Sequence, residues 1–274
     1  MELYYFKKPN FGDALNPWLW PQLAPGMFAQ GGDPLFIGIG TLLNQRLPTN
    51  RSKVVFGSGV GYGDPPKIDE SFEIICLRGP LSAAVLGVPS ELALTDPGLL
   101  VRAVPAKPAE NSHVSISFMP HWESLKSTDW AAACNTYGIG FINPTHSVET
   151  IIGQIRASEL LLAEAMHGAV IANAFQIPFV PVVLHDFILP FKWEDWCRSV
   201  GCTYDPIRLK PLIRHDWSLP SRIYRKIGPL LFLAGLKKRL RRSRPQVSCP
   251  KLLNELEARL LEQLELLAAR NGSM

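Results

Sequence analysis

The stretch Leu160–Val170 constrains the fold most, because it packs two kinds of structure and a chemical pair into eleven residues. Leu160-Leu161-Leu162 reads as a strand buried on both faces. Ala169-Val170-Ile171-Ala172-Asn173-Ala174-Phe175 reads as a helix of small residues that packs closely. The join holds one acid, Glu164, one imidazole, His167, and one glycine, Gly168. In a parallel α/β sheet such a join lies at the carboxyl edge of the strands, where ligands bind. Glu164 then stands close enough to orient His167. The plainer reading is a helix-capping glutamate beside a half-buried histidine whose hydrogen bonds are met, and spacing alone leaves both open.

The same apolar run and turn recurs along the chain. Leu35-Phe36-Ile37 meets Gly38-Ile39-Gly40, Val54-Val55-Phe56 meets Gly57-Ser58-Gly59, and Glu73–Leu77 meets Arg78-Gly79-Pro80. A helix is expected after each. Further on, Val114–Phe118, Ile139–Asn143 and Phe179–Val183 read as strands, with helices over Ser147–Arg156 and from Phe191. Strands alternating with helices in both halves argue for parallel sheets. The Pro-rich, polar stretch 104–111 reads as a linker. The expected organisation is α/β: an N-terminal Rossmann-like domain over 1–105, a second over 106–205 with a cleft between them, and a helical tail over 206–274.

Several side chains fall at positions suited to a ligand. Asn10, Gly12 and Asp13 lie in a polar loop after the first strand, either a cradle for an anion or substrate or a turn in which Asp13 caps a helix. Gly57 and Ser58 follow a buried strand, where a ligand can approach the backbone. The full dinucleotide fingerprint is missing and no acid stands at a suitable distance, which argues against NAD. Arg78 precedes Pro80 at the first position of a helix, a place that favours phosphate or carboxylate; its alternative is a pairing with a helix acid such as Glu91. His121 occupies another strand tip, with a capping or core role beside Trp122 as the alternative. Lys192 is either at the site or an exposed surface lysine.

The 274 residues carry a net charge of +4, a mild excess that suits an anionic small substrate or an anionic membrane surface. No basic stripe interleaved with aromatics in the first 200 residues points to nucleic acid. Five cysteines, an odd number with no Cys-x-x-Cys, read as reduced thiols of a cytoplasmic protein. The His and Cys spacings show no metal-ligand cluster. The N-terminus has no apolar signal region and no apolar run is long enough to span a bilayer. The apolar patch Ile227–Leu236 followed by Lys237–Arg244 suits peripheral contact with an anionic membrane, or a helix packed on the core with a solvated basic end. Leucines from Leu252 to Leu267 at helical spacing make 249–270 an amphipathic helix.

Five motifs in order carry a resemblance: Asn10-Phe11-Gly12-Asp13, Gly38-Ile39-Gly40-Thr41-Leu42-Leu43, Gly57-Ser58-Gly59, Arg78-Gly79-Pro80-Leu81-Ser82-Ala83 and Glu164-Ala165-Met166-His167-Gly168. Together they resemble the polysaccharide pyruvyltransferases, especially the exopolysaccharide branch that decorates succinoglycan. The resemblance implies a GT-B-like fold and a transferase. Phosphoenolpyruvate, as donor substrate with no cofactor, would give its carboxyvinyl carbon to two hydroxyls of one sugar in an exopolysaccharide or its lipid-linked repeat unit, and a cyclic ketal would result. Under it, His167 with Glu164 is the acid/base and His121 the second. Arg78, Lys192 and helix starts hold the donor, and Asp13 binds sugar hydroxyls. Much of the family has Arg-Leu-His where this chain has Ala165-Met166-His167, so Arg78 or Lys192 must replace a missing cation. The rival is a glycosyltransferase of the same fold using a sugar nucleotide. It needs a ribose-binding acid, and Glu164, the candidate, precedes the histidine.

Overall fold

A computed structural model describes residues 1–28, 32–105, 113–126, 129–209, 236, 239–240 and 243–271. The expected linker beyond residue 105 and most of the apolar and basic stretch 224–244 lie outside the described residues. The chain is α/β with two parallel sheets and divides into two units.

The first unit comprises Met1–Ala106, Leu189–Tyr204 and Ser248–Met274. Its strands β1 (Glu2–Leu3), β2 (Leu35–Ile37), β3 (Lys53–Phe56) and β4 (Phe72–Cys76) lie side by side in chain order, all parallel. β2 and β3 are buried throughout, as their uninterrupted apolar character requires. Helix α1 (Phe11–Leu23) lays Trp20 edge-on against Phe36 and Phe56, with ring centroids 4.9 and 5.4 Å away. α1 tolerates Pro17 because the carbonyl of Asp13, which a proline cannot serve, accepts from Asn16 Nδ2 at 3.3 Å. The same Asn16 amide accepts from Ile39 N and donates to Ile39 O, at 2.9 and 2.8 Å, and so ties α1 to the end of β2.

The helices expected after β2 and β3 do not form. Gly40 and Gly57 hold φ of +136° and +85°, outside the helical region. Ser58 Oγ accepts from Leu42 N at 3.3 Å and donates to Gly40 O at 3.2 Å, while Gly59 N donates to Gly40 O at 3.1 Å. The two loops therefore satisfy each other's backbone groups, and neither has use for the i to i−4 ladder. After β4 the expectation is met. Helix α2 (Pro80–Leu86) opens on its proline and stops at Gly87, left-handed at φ +66°.

The second unit comprises Lys107–Ile188 and Asp205–Val247. It holds β5 (Ser117–Met119), α3 (Trp130–Thr136), β6 (Gly140–Phe141), α4 (Val148–Arg156), β7 (Leu161–Ala163), α5 (Met166–Ala174), β8 (Phe179–Val183) and β9 (Ile207–Arg208). The order across its parallel sheet is β6-β5-β7-β8-β9. The chain leaves β5 for β6 on one side and then crosses to β7 on the other, so the strand order reverses between β5 and β7. Such a switch point opens a binding crevice outside the carboxyl ends of the two strands.

Helix α6 (Pro190–Ser199) falls inside the span 106–205 that the sequence reading drew as one domain, yet it packs with α2 in the first unit. Helix α7 (Pro250–Arg270) also joins the first unit. It buries Leu253, Leu256, Leu260, Leu264 and Leu267, and it packs on a 3-10 turn at Pro97–Ala103. Each such leucine contributes roughly 1.5–3 kcal/mol when fully buried, so this helix belongs to the core. No helix among the described residues is long and apolar enough to cross a membrane.

Candidate functional site

At the switch point of the second unit, Glu164 is the residue that immediately follows β7, and it is fully buried. Its Oε2 accepts from His121 N at 2.9 Å and its Oε1 from Leu184 N at 3.1 Å. Its own N–H donates to Met119 O at 2.9 Å. One carboxylate thus ties the tips of β5 and β8 to either side of its own strand. A carboxylate removed from water needs donors of this kind, and the bonds are of the stronger, charge-assisted class. The sequence reading gave Glu164 an orienting role toward His167; the structure adds a clamp on the carboxyl ends of three strands.

His167 is the second residue of α5, half-buried, at the carboxyl end of β7. Gly168 explains how the helix comes so close: a Cβ there would stand 2.6 Å from Met119 Sδ at the end of β5. His121, two residues beyond β5, accepts at Nδ1 from Glu123 N at 3.4 Å and keeps 13% of its side chain exposed. Its ring centroid lies 5.3 Å from that of Phe187 and 6.0 Å from that of Trp122. Sequence reasoning missed His185. It stands two residues past β8, as His121 stands two past β5, and that shared offset was a signal in the sequence. His185 stacks on Phe187 at 5.1 Å with an interplanar angle of 13°. Burial pushes its pKa below the ordinary imidazole value, against the opposing pull of Asp186.

The first unit distributes its expected site residues differently. Asn10 caps α1 with extended backbone, and its Nδ2 donates to Asp13 Oδ2. Asp13 Oδ1 accepts from Phe6 N at 3.4 Å, and Gly12 is buried in the first helical turn. Ser58 is buried and bridges two loops, as described. Gly57 and Gly59 make room for protein: an added Cβ at Gly57 would overlap Pro97, and one at Gly59 would overlap the Arg78 guanidinium. The approach of a ligand, which the sequence suggested for Gly57-Ser58, is taken up here by the chain itself.

Arg78, expected to hold an anion, is fully buried. Nε donates to Asp195 Oδ2 at 3.1 Å, Nη1 to Thr41 Oγ1 at 2.7 Å and Gly40 O at 3.4 Å, and Nη2 to Val60 O at 2.9 Å. Its partner is Asp195 on α6, not Glu91. Lys192, also on α6, is only 7% exposed and is no surface lysine. Its Nζ donates to Tyr62 Oη at 3.0 Å, and among the described residues no carboxylate pairs with it.

A family model described as polysaccharide pyruvyl transferase matches residues 3–186, from β1 to just past β8. The chain belongs to that family. It is 41% identical over 214 residues to the succinoglycan biosynthesis protein ExoV of Rhizobium meliloti strain 1021, a match covering 76% of this chain and 68% of that protein. No solved structure matches. Membership of the pyruvyl transferase family implies a transferase and does not favour a sugar-nucleotide glycosyltransferase. The family match takes in Asp13, Arg78, His121, Glu164, His167 and His185, whereas Lys192 lies beyond it.

Proposed function

We propose that the protein transfers the pyruvyl group of phosphoenolpyruvate to two hydroxyls of one sugar in an exopolysaccharide or its lipid-linked repeat. What carries the reading is a half-buried imidazole, His167, at the carboxyl end of the strands where the order reverses, in a member of the pyruvyl transferase family.

A proton is delivered to C3 of the enol, which becomes a methyl group, and C2 turns electrophilic. The first sugar hydroxyl attacks C2 and loses its proton to a base. The C2–O bond to phosphate breaks, and the second hydroxyl closes the ketal. Two hydroxyl protons are lost, C3 takes up one, and the other leaves with phosphate, so the balance closes without a redox partner. His167 is the acid/base, a role worth about 10²–10⁴ in rate. Glu164 holds the strand tips that carry His121 and, one residue past Leu184, His185. Lys192, largely buried with its Nζ donating to the Tyr62 hydroxyl, is a cation of the first unit that would suit the donor's phosphate or carboxylate.

The test is to incubate the purified chain with phosphoenolpyruvate and a depyruvylated succinoglycan oligosaccharide. The expected result is phosphate release together with an oligosaccharide heavier by pyruvate less one water. Turnover of a sugar nucleotide with no reaction of phosphoenolpyruvate would overturn the assignment.

A further inference from the structure

We propose that Phe187, stacked on His185 and packed against His121, is the shelf on which the pyranose ring of the acceptor sugar lies. This rests on the pyruvyltransferase reading and names the substrate that meets this edge of the second unit. Phe187 is 41% exposed, although its ring is held on two sides. An aromatic ring packed against two neighbours and open to solvent is a preorganised surface, with less side-chain freedom to lose on binding than an unsupported ring has. It stands at the carboxyl edge of the parallel sheet, where His121 and His185 each follow the end of β5 and β8 by two residues. That edge is where such sheets bind ligands.

The chemistry decides between the two substrates. Phosphoenolpyruvate is small and densely anionic, and the face of an aromatic ring carries negative charge, so the two repel. A pyranose ring presents an apolar face of C–H groups to an aromatic ring and hydroxyls at its rim. The imidazoles of His121 and His185 supply nitrogen donors and acceptors beside Phe187 for those hydroxyls. Burial lowers the pKa of His185 and so favours its neutral form, which has one nitrogen of each kind.

Saturation-transfer NMR of the full chain with methyl β-D-glucopyranoside and methyl β-D-galactopyranoside, without phosphoenolpyruvate, tests the shelf directly. We expect saturation of the ring C–H protons of at least one glycoside in the wild type, its loss in Phe187→Ala, and its return in Phe187→Trp. With the oligosaccharide acceptor, Phe187→Ala should raise the acceptor KM roughly three- to tenfold, with the KM for phosphoenolpyruvate unchanged. Equal saturation in wild type and Phe187→Ala overturns the shelf, as does no saturation in the wild type. The glycoside experiment needs no turnover. Failure of the pyruvyl transfer assay with intact, Phe187-dependent glycoside binding would sink the reaction and leave the sugar shelf standing.

Discussion

The Arg78 guanidinium donates to Asp195 at 3.1 Å with neither side chain reaching solvent. Asp195 also accepts from Ser82 N at 2.9 Å and Ser82 Oγ at 2.6 Å. The motif Arg78-Gly79-Pro80-Leu81-Ser82 is therefore a receptor for one carboxylate of α6. Gly79 completes it, since a Cβ there would overlap the Asp195 backbone. Breaking a buried pair leaves an uncompensated charge and costs about 3–5 kcal/mol. Asp195→Ala should lower the unfolding free energy read from urea denaturation by that much, and the double variant Arg78→Met/Asp195→Leu should lose less than the sum of the single changes. If Arg78→Ala stays as stable as wild type while the KM for phosphoenolpyruvate rises, the arginine is an anion ligand after all.

Two glycine-to-alanine changes should move stability in opposite directions. Gly59 lacks room for a methyl group beside the Arg78 guanidinium, so Gly59→Ala displaces a buried ion pair and should cost about 2 kcal/mol or more. Gly153 sits inside α4 with nothing near its missing Cβ and ordinary backbone angles. Gly153→Ala should stabilise by about 0.5–1 kcal/mol by restricting the unfolded chain. Thermal unfolding of the two variants beside wild type checks both signs.

Glu164→Gln separates a clamp from an orienting acid. The amide keeps one acceptor oxygen and turns an NH2 group toward the second backbone N–H, either His121 N or Leu184 N. One buried hydrogen bond is lost and a donor is left facing a donor, at a cost of about 1–3 kcal/mol. The imidazole resonances of His121 and His185 should shift in NMR spectra of this variant, and kcat should fall. A stable variant with unmoved resonances for both rings would refute the clamp.

Much of this was legible in the sequence because the signals are local. The leucine run 160–162, the Pro80 start and Gly87 stop of α2, and Ser147, whose Oγ accepts from Thr150 N at 3.3 Å, each depend on a few neighbouring residues. The errors arose where distant residues decide. Glycines 57 and 59 look like an approach for a ligand until Pro97 and Arg78 are seen in the space. Arg78 looks like an anion ligand until α6 returns with Asp195, 117 residues later. His185 escaped notice because its significance lies in the tip of β5, on the far side of β7, and not in its own surroundings.

At the proposed centre, His167→Ala should reduce kcat about 10²–10⁴-fold with an unchanged far-ultraviolet spectrum, because the ring is half-buried at a helix start. Lys192→Gln should instead raise the KM for phosphoenolpyruvate, leaving the acceptor KM in place. Phosphate release at varied donor and acceptor concentrations distinguishes the two. A His167→Ala variant with full turnover would remove the imidazole from the mechanism.

Alkaline pH should unfold the protein through its buried thiols. Burial pushes Cys76, Cys134 and Cys197 up, Cys134 to about 12, from an ordinary value of 9.0. In the unfolded chain these thiols ionise near their ordinary value, while the folded state keeps them neutral. The unfolded state therefore binds fewer protons above that value, and stability falls as pH rises. The contribution is fully present below pH 9.0 and is lost progressively toward about 12 for Cys134. Urea midpoints measured upward from neutrality should decline beyond the ordinary thiol value, and Cys134→Val, which has nothing to ionise, should decline less steeply. Equal slopes would mean that this thiol is already ionised, or reachable by water, in the folded state.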